Sequence, residues 1–358
     1  MNNSVYIIAE AGVNHNGSLE LAKELVVKAA EAGADAVKFQ TFKASKLVSA
    51  SAEKAKYQKA TTSVEESQLE MLKRLELKQE WHAELISLCA QKKIQFLSTA
   101  FDTESLDFLA GMDMPFYKIP SGELTNAPLL WQFARRRKPM VLSTGMSTLS
   151  EVELALAVTT HAFVCDKEPQ SIDEVWEAFS NTENRLILKD NVTLLHCTSQ
   201  YPTPMDEVNL TAMDTLANSF GLPVGYSDHT QGIIIPIAAV ARGACLIEKH
   251  FTLDRSMPGP DHLSSLEPNE LTEMVAAIRG VSRALGDGVK GPQPSEFDTK
   301  KVARQKVVAA KNIKAGSTLT RNDLTTQRSA KGADAAALWD LVGKTTAQDI
   351  ACGAPISL

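Results

Sequence analysis

Val224-Gly225-Tyr226-Ser227-Asp228-His229-Thr230, the apolar helical stretch Ile233–Arg242, Gly243, and Cys245-Leu246-Ile247-Glu248-Lys249-His250 read as strand, helix and strand. Such a helix is the crossover that parallel strands require, since a tight hairpin joins only antiparallel ones. Gly243 stands where a helix closes on a left-handed residue. The β-runs Val224–Tyr226 and Cys245–Glu248 start apolar and turn ionisable towards their C-terminal ends. One end of this unit is therefore core and the other end is chemistry.

The same pattern runs outward through the chain. Val5–Ala9, Ala36–Phe39, Gln95–Ser98, Phe116–Ile119, Met140–Leu142 and Thr193–His196 read as further strands, which makes eight. Helical stretches fall between and after them, among them Leu19–Ala32, Trp81–Lys92, Thr148–Thr159 and Glu270–Leu285, with Gly33 and Gly286 as further stops. Eight strand–helix units in this length predict an α/β fold of the (β/α)8 TIM-barrel type over an open doubly wound sheet, with seven or nine strands as alternatives. The barrel is expected over 1–285. A linker over 286–305 opens with Gly286, Gly288, Gly291, Pro292 and Pro294. A small β-rich module over 306–358 follows, with β-runs at Val307–Ala309 and Leu341–Gly343 and a turn at Lys314–Gly316. It is too short for a large core and is expected to dock on the barrel or a partner subunit. Two segments interrupt the alternation. Lys43–Leu72 lies on the side where a barrel keeps its chemistry and reads as a lid or substrate-contacting segment. His161–Asp190, with an amphipathic helix at Asp173–Ser180, lies on the opposite side and reads as a surface excursion or an oligomer contact.

The composition narrows the partners. The 358 residues carry 37 Lys+Arg against 43 Asp+Glu, a net charge of −6, with 44% hydrophobic residues. A mildly acidic chain does not suit tracking a phosphate backbone, so no nucleic acid is expected. No apolar run approaches the ~18 residues of a membrane span. Met1-Asn2-Asn3-Ser4 does not look like a signal peptide, and the five scattered cysteines form no C-x-x-C pair and mostly fall in apolar runs as core residues do. A cytoplasmic location is the expectation.

The predicted strands all bring polar residues to the same end. Glu10 ends the first, Lys38 and Gln40 sit on the second, and Ser98-Thr99 end the third. Lys118 with Ser121-Gly122-Glu123 follows, then Ser143-Thr144, and His196, Thr198 and Tyr201. Buried strands should be continuous apolar runs, so charge gathered at one rim costs desolvation unless a ligand or partner answers it. Alternation with period two points Glu248 with His250, Ser227 with His229, and Lys38 with Gln40. His229 and His250, on adjacent strands, are placed to hold one divalent cation. The plainer alternative is two hydrogen-bonded histidines serving packing or acid–base roles. Lys38 and Lys118, with the hydroxyls of Thr99, Ser121, Ser143 and Ser227, suit phosphate and carboxylate oxygens. The alternatives are ion pairs with Glu10 or Glu123, or a Schiff-base lysine.

The other histidines carry less. His82 and His161 read as surface or helical, His15 as a loop residue beside the rim placed either to orient a ligand or to serve a turn. His262 follows Met257-Pro258-Gly259-Pro260-Asp261, a rigid loop near the mouth. No glycine-rich nucleotide fingerprint is present.

Ile7-Ile8-Ala9-Glu10-Ala11-Gly12-Val13-Asn14-His15-Asn16-Gly17, Val37-Lys38-Phe39-Gln40-Thr41, Tyr117-Lys118-Ile119-Pro120-Ser121-Gly122-Glu123, Leu142-Ser143-Thr144-Gly145-Met146, His196-Cys197-Thr198, Tyr201-Pro202, Tyr226-Ser227-Asp228-His229-Thr230 and Ile247-Glu248-Lys249-His250-Phe251-Thr252 together resemble the sialic acid (nonulosonic acid) synthase family. The resemblance covers the whole chain and implies a TIM barrel followed by a SAF (antifreeze-like) domain. It implies condensation of phosphoenolpyruvate with an N-acylated amino hexose to a nine-carbon 2-keto-3-deoxy acid. The expected sugar is N-acetylmannosamine, giving N-acetylneuraminate, with a legionaminic-type or pseudaminic-type acid as the alternative product. It further implies that His229 and His250 bind a divalent ion, Mn²⁺ first, with Mg²⁺ or Co²⁺ as alternatives. Lys38, Thr99, Lys118, Ser121, Ser143 and Ser227 would hold phosphoenolpyruvate. Glu10, Tyr201 and Glu248 would contact the open-chain sugar, and Gln40 and Ser199 belong to the same substrate-binding set. Glu10 or Glu123 would place the water. Arg328 would reach the sugar acyl group of a partner in a domain-swapped homodimer. Ser199 stands where family members often have Asn, and Ser329-Ala330-Lys331-Gly332 replaces the usual Pro-Gly-x-Gly.

Two other classes compete with this reading. A Schiff-base aldolase using Lys38 or Lys118 would be trapped with substrate by borohydride. A carbohydrate-binding protein on an inert barrel would release no phosphate from phosphoenolpyruvate.

Overall fold

The computed structural model describes residues 5–49, 51–55, 58, 59, 62 and 66–357. The N-terminal tetrapeptide read for a leader lies outside them, as do positions 50, 56, 57, 60, 61 and 63–65 of the Lys43–Leu72 segment.

Eight parallel strands form one sheet: β1 (Tyr6–Gly12), β2 (Ala36–Thr41), β3 (Gln95–Ala100), β4 (Tyr117–Ile119), β5 (Met140–Ser143), β6 (Val192–His196), β7 (Val224–Asp228) and β8 (Leu246–His250). Their order is β3-β2-β1-β8-β7-β6-β5-β4, and β3 and β4 lie side by side. The first strand thus pairs with the last, as a (β/α)8 barrel requires. The strands run further than their apolar stretches suggest, β1 through Gly12, β7 through Asp228 and β8 through His250. Backbone pairing therefore fixes the direction of the polar residues as firmly as that of the core.

Helices back the strands, and local chemistry starts them. Asp102 accepts from the Ser105 amide ahead of Thr103–Ala110, and Thr148 forms a capping box with Glu151 ahead of Leu149–Val164. Between the strands and helices, Ile7, Phe39, Phe96, Ile119, Leu142 and Leu194 are buried in one core. The region 161–190 is helical: Leu149–Val164 runs past His161, and Ile172–Ser180 and Thr182–Asn191 follow.

Several single-residue expectations change. His161 is buried and accepts from Trp131 Nε1 at 3.1 Å, and His82 is buried against Thr41 Oγ1 at 2.9 Å. Both helices present these rings inward, so neither is a surface residue. Cys245 and Cys352 are exposed despite their apolar neighbours, while Cys89 and Cys197 are buried. Among the described residues no helix is long and apolar enough to cross a membrane.

The chain divides into two compact units, Met1–Gly286 and Asp287–Leu358. The second holds an antiparallel pair, β9 (Gln305–Ala309) and β10 (Leu324–Arg328). Leu341–Gly343 is not a β-run there but the end of a short helix, Leu338–Leu341, and the turn after it. The unit has a core of its own, built on Val307, Leu319, Leu324, Leu338, Leu341 and Ile356.

Candidate active site

A cavity of about 380 Å³ opens at the C-terminal ends of the strands. Strand alternation decides what faces it. Glu10 (β1), Lys38 and Gln40 (β2), Thr99 (β3), Lys118 (β4), Ser143 (β5), Ser227 (β7), and Glu248 and His250 (β8) all line it. So do Ser121, Ser199, Tyr201 and His229 from the loops that follow the strands. Other polar residues of the same rim point the opposite way. His196 Nε2 meets the Val208 carbonyl at 2.9 Å, Thr198 donates to the Glu207 carbonyl, and Ser98 bonds Thr41.

Glu123 is the barrel residue expected here that the structure does not bring in. The tight turn Ser121–Glu123 rotates successive side chains apart, so Ser121 faces the cavity while Glu123 accepts from Asn126 Nδ2 at 2.7 Å. Arg328 lies in the second unit, exposed at the end of β10.

The floor is a four-membered charge network. Lys38 Nζ lies 2.7 Å from Glu10 and 3.5 Å from Glu248, and Lys118 Nζ lies 3.2 Å from Glu248. The ion-pair reading of the lysines is the one these contacts show, with Glu248 taking the place expected for Glu123. Ser227 Oγ donates to Glu248 at 2.9 Å, Lys38 to Thr99 Oγ1 at 3.2 Å, and Gln40 Nε2 to Glu10 at 3.3 Å. Both carboxylates are buried, and the lysines divide unequally between them. Burial, reinforced by the charge of Glu248, raises Glu10 to about 7 despite Lys38. Glu248 suffers the same burial, but Lys118 and Lys38 hold it below the usual carboxylate range. The shared burial and the unequal company of lysines thus push the two carboxyls in opposite directions. The buried hydroxyl of Ser143 has no hydrogen-bond partner among the described residues.

The two histidines sit against each other, ring centroids 5.5 Å apart, beneath Tyr201, whose ring lies 4.1 Å from that of His229. His229 Nδ1 is 2.6 Å from the Thr198 carbonyl, so Nδ1 carries the proton and Nε2 keeps its lone pair. Burial keeps both rings neutral, His250 strongly so, with His229 adding to the effect there. His250 Nδ1 is buried without a hydrogen-bond partner among the described residues, 3.8 Å from Asp261. Two neutral imidazoles, one with its tautomer fixed, fit a divalent cation whose other ligands are water or substrate. No cluster of three or more His, Cys, Asp or Glu ligands exists among the described residues.

Two features escape the sequence reading. Asp261 lines the cavity, and burial raises its carboxyl to about 6. The Met257–Asp261 loop was a signal for it, although His262 itself turns away to Thr252 and Asn16. An apolar wall of Val13, Met71, Leu72, Leu75 and Phe101 closes another side. Three of these come from the helix Gln68–Leu75, so the Lys43–Leu72 segment does reach the site.

Behind the site, burial lowers His15 and His262 to about 4. Each is neutral when folded but binds a proton near pH 6.5 when unfolded, so stability is full above pH 6.5 and falls towards pH 4. Between pH 7 and 5 each should cost about 2 kcal/mol. Urea unfolding at the two pH values should show a smaller drop for His15→Gln than for the unaltered protein.

The NeuB family matches residues 25–290 and the SAF domain residues 304–358. An N,N'-diacetyllegionaminic acid synthase of Campylobacter jejuni is 48% identical over 338 residues, 94% of each chain. A second synthase of that name, from Legionella pneumophila, is 45% identical over 97% of this chain and 92% of its own. The crystal structure of an N-acetylneuraminic acid (sialic acid) synthetase from Leptospira borgpetersenii has a TM-score of 0.68 at 34% identity, covering 83% of this chain and 90% of that one. The chain therefore belongs to the NeuB family, and carries a SAF domain after its barrel.

Proposed function

We propose that the enzyme condenses phosphoenolpyruvate with an open-chain hexose bearing two acylamino groups, giving N,N'-diacetyllegionaminic acid and phosphate. The observation that carries the chemistry is the Glu10–Lys38–Glu248–Lys118 network beside His229 and His250 at one cavity. The first expectation, N-acetylmannosamine, gives way to its alternative, because the relatives at 48% and 45% identity both carry the diacetyllegionaminic name. Phosphoenolpyruvate brings no nitrogen, so both amino groups of such a product must arrive on the sugar. The apolar wall of Val13, Leu72 and Phe101 supports this by offering contact to acyl methyl groups that hydroxyls would not satisfy.

Lys38 and Lys118 neutralise the phosphate and carboxylate of phosphoenolpyruvate, and Thr99, Ser121, Ser143 and Ser227 donate to the remaining oxygens. The enol C3 forms a bond to the sugar aldehyde carbon, whose oxygen takes up a proton. Water then adds to C2, the C2–O bond to phosphate breaks, and the 2-keto acid remains. Glu10, at about 7, is poised to hold or release a proton in these steps. A divalent cation, with Mn²⁺ the first choice, held by His229 and His250 would act as a Lewis acid on the aldehyde oxygen. Tyr201 and Gln40 orient the sugar, and Asp261 joins them.

By family resemblance Arg328 serves the acyl group of a sugar bound in the partner of a domain-swapped homodimer. Met146, Leu149, Met205 and Ile234, in the segments after β5, β6 and β7, are exposed, which supports a protein surface covering this face.

Phosphate release tests the reading. With Mn²⁺, a 2,4-diacetamido hexose should release phosphate from phosphoenolpyruvate with kcat/KM at least tenfold above N-acetylmannosamine, and EDTA should abolish it. Equal or better turnover of N-acetylmannosamine would reassign the sugar. Release without sugar, or borohydride trapping on a lysine, would remove the mechanism.

A further inference from the structure

On the outer face of β7 and β8, opposite the cavity, lies an ion pair that the mechanism does not use. Lys249 Nζ is 2.6 Å from Asp228 Oδ2, and both side chains are wholly buried. The same ammonium donates to the Thr230 carbonyl. Thr230 returns two bonds to Asp228, from its amide at 3.0 Å and its hydroxyl at 3.1 Å. The strands pair in register, Ser227 with Glu248 and Asp228 with Lys249. Lys249 directly precedes His250, and Asp228 and Thr230 directly flank His229. One ammonium on the strand of one imidazole therefore grips the residues on both sides of the other.

Stability alone is a poor reason for this arrangement. The desolvation of two buried charges commonly exceeds their attraction, and apolar side chains of similar volume would fill the space at lower cost. What apolar packing would not supply is a directional link between the two strand ends. We infer that Lys249, through Asp228 and Thr230, is a positioning residue that sets His229 and His250 towards a single divalent ion. The inference rests on the proposed metal role of those histidines. Outer residues that orient metal ligands typically change affinity by about 10–100-fold when removed.

The test titrates Mn²⁺ into the full chain without substrates, followed by electron paramagnetic resonance, alongside urea unfolding and steady-state kinetics. Asp228→Asn/Lys249→Met removes both charges together and leaves neither buried alone. It should unfold near the wild-type midpoint, bind Mn²⁺ at least tenfold more weakly and lose kcat, with the KM for phosphoenolpyruvate unchanged. Thr230→Val keeps the ion pair and loses one hydrogen bond. It should weaken Mn²⁺ about threefold, and it carries the test if the double variant does not fold. Wild-type Mn²⁺ affinity in either folded variant overturns the inference. Failure of the underlying metal reading looks different: the unaltered protein binds no Mn²⁺, or His229→Ala binds it as tightly, and the positioning role falls with it.

Discussion

Replacing Lys38 by methionine is expected to lower kcat/KM for phosphoenolpyruvate by about three orders of magnitude, mostly through KM. Lys38 is buried, 2.7 Å from Glu10 and 3.5 Å from Glu248. On the proposed binding mode its loss removes a charge-assisted contact to phosphate, on the order of 2–3 kcal/mol. It also leaves two carboxylates facing a multiply charged anion with Lys118 alone between them. Glu10 can take up a proton, since it already sits at about 7, which limits the damage to the fold. A second variant separates the two effects. Lys38→Met/Glu10→Gln removes both charges, so its unfolding midpoint should recover while phosphoenolpyruvate binding should not. An unchanged KM in Lys38→Met would show that the anion binds elsewhere.

The second large effect belongs to the histidines. His229→Ala and His250→Ala should each lower kcat by about 10³ or more and abolish Mn²⁺ binding measured without substrates. The geometry separates this from loss of packing. His229 is locked by the Thr198 carbonyl at 2.6 Å and stacked on Tyr201 at 4.1 Å, so truncation also opens a hole beneath the tyrosine. His229→Gln fills most of that hole and offers an amide in place of the imidazole. If packing were the whole role, the glutamine variant would regain activity. If metal ligation is the role, it stays within about tenfold of the alanine variant, because an amide oxygen is a weak substitute for a neutral imidazole nitrogen. Activity unaffected by chelator in the unaltered protein would count against the metal altogether.

Much of the cavity lining is legible in the amino-acid sequence. Alternation with period two put Lys38 with Gln40, Ser227 with His229 and Glu248 with His250, and the cavity contains all six. That success has a local cause, since the strand backbone alone alternates its side chains. The same rule separates His250 from Lys249, which faces the opposite side of β8. It fails where the strand stops. Glu123 lies beyond the end of β4, where a tight turn replaces alternation, and the sequence offered no way to tell its carboxylate from that of Glu248. Asp261 and the wall of Met71, Leu72 and Leu75 were legible only as segments, the Met257–Asp261 loop and Lys43–Leu72, because neither has a strand period to show which side chain faces in.

By itself, then, the amino-acid order determined the alternating strand–helix architecture and the end of the barrel at which its chemistry would gather. It also identified which strand residues share a face, because propensity, capping and pleat act over a few neighbouring positions. Tertiary structure alone decided that Lys38 would bridge Glu10 and Glu248, that burial would push Glu10 up while the lysines hold Glu248 down, and that Lys249 would tie the two histidine strands together. Those outcomes join residues up to 238 positions apart, Glu10 and Glu248 among them. They depend on ladder register and barrel closure, and on the desolvation of charges that share a buried space, none of which a local stretch of chain contains.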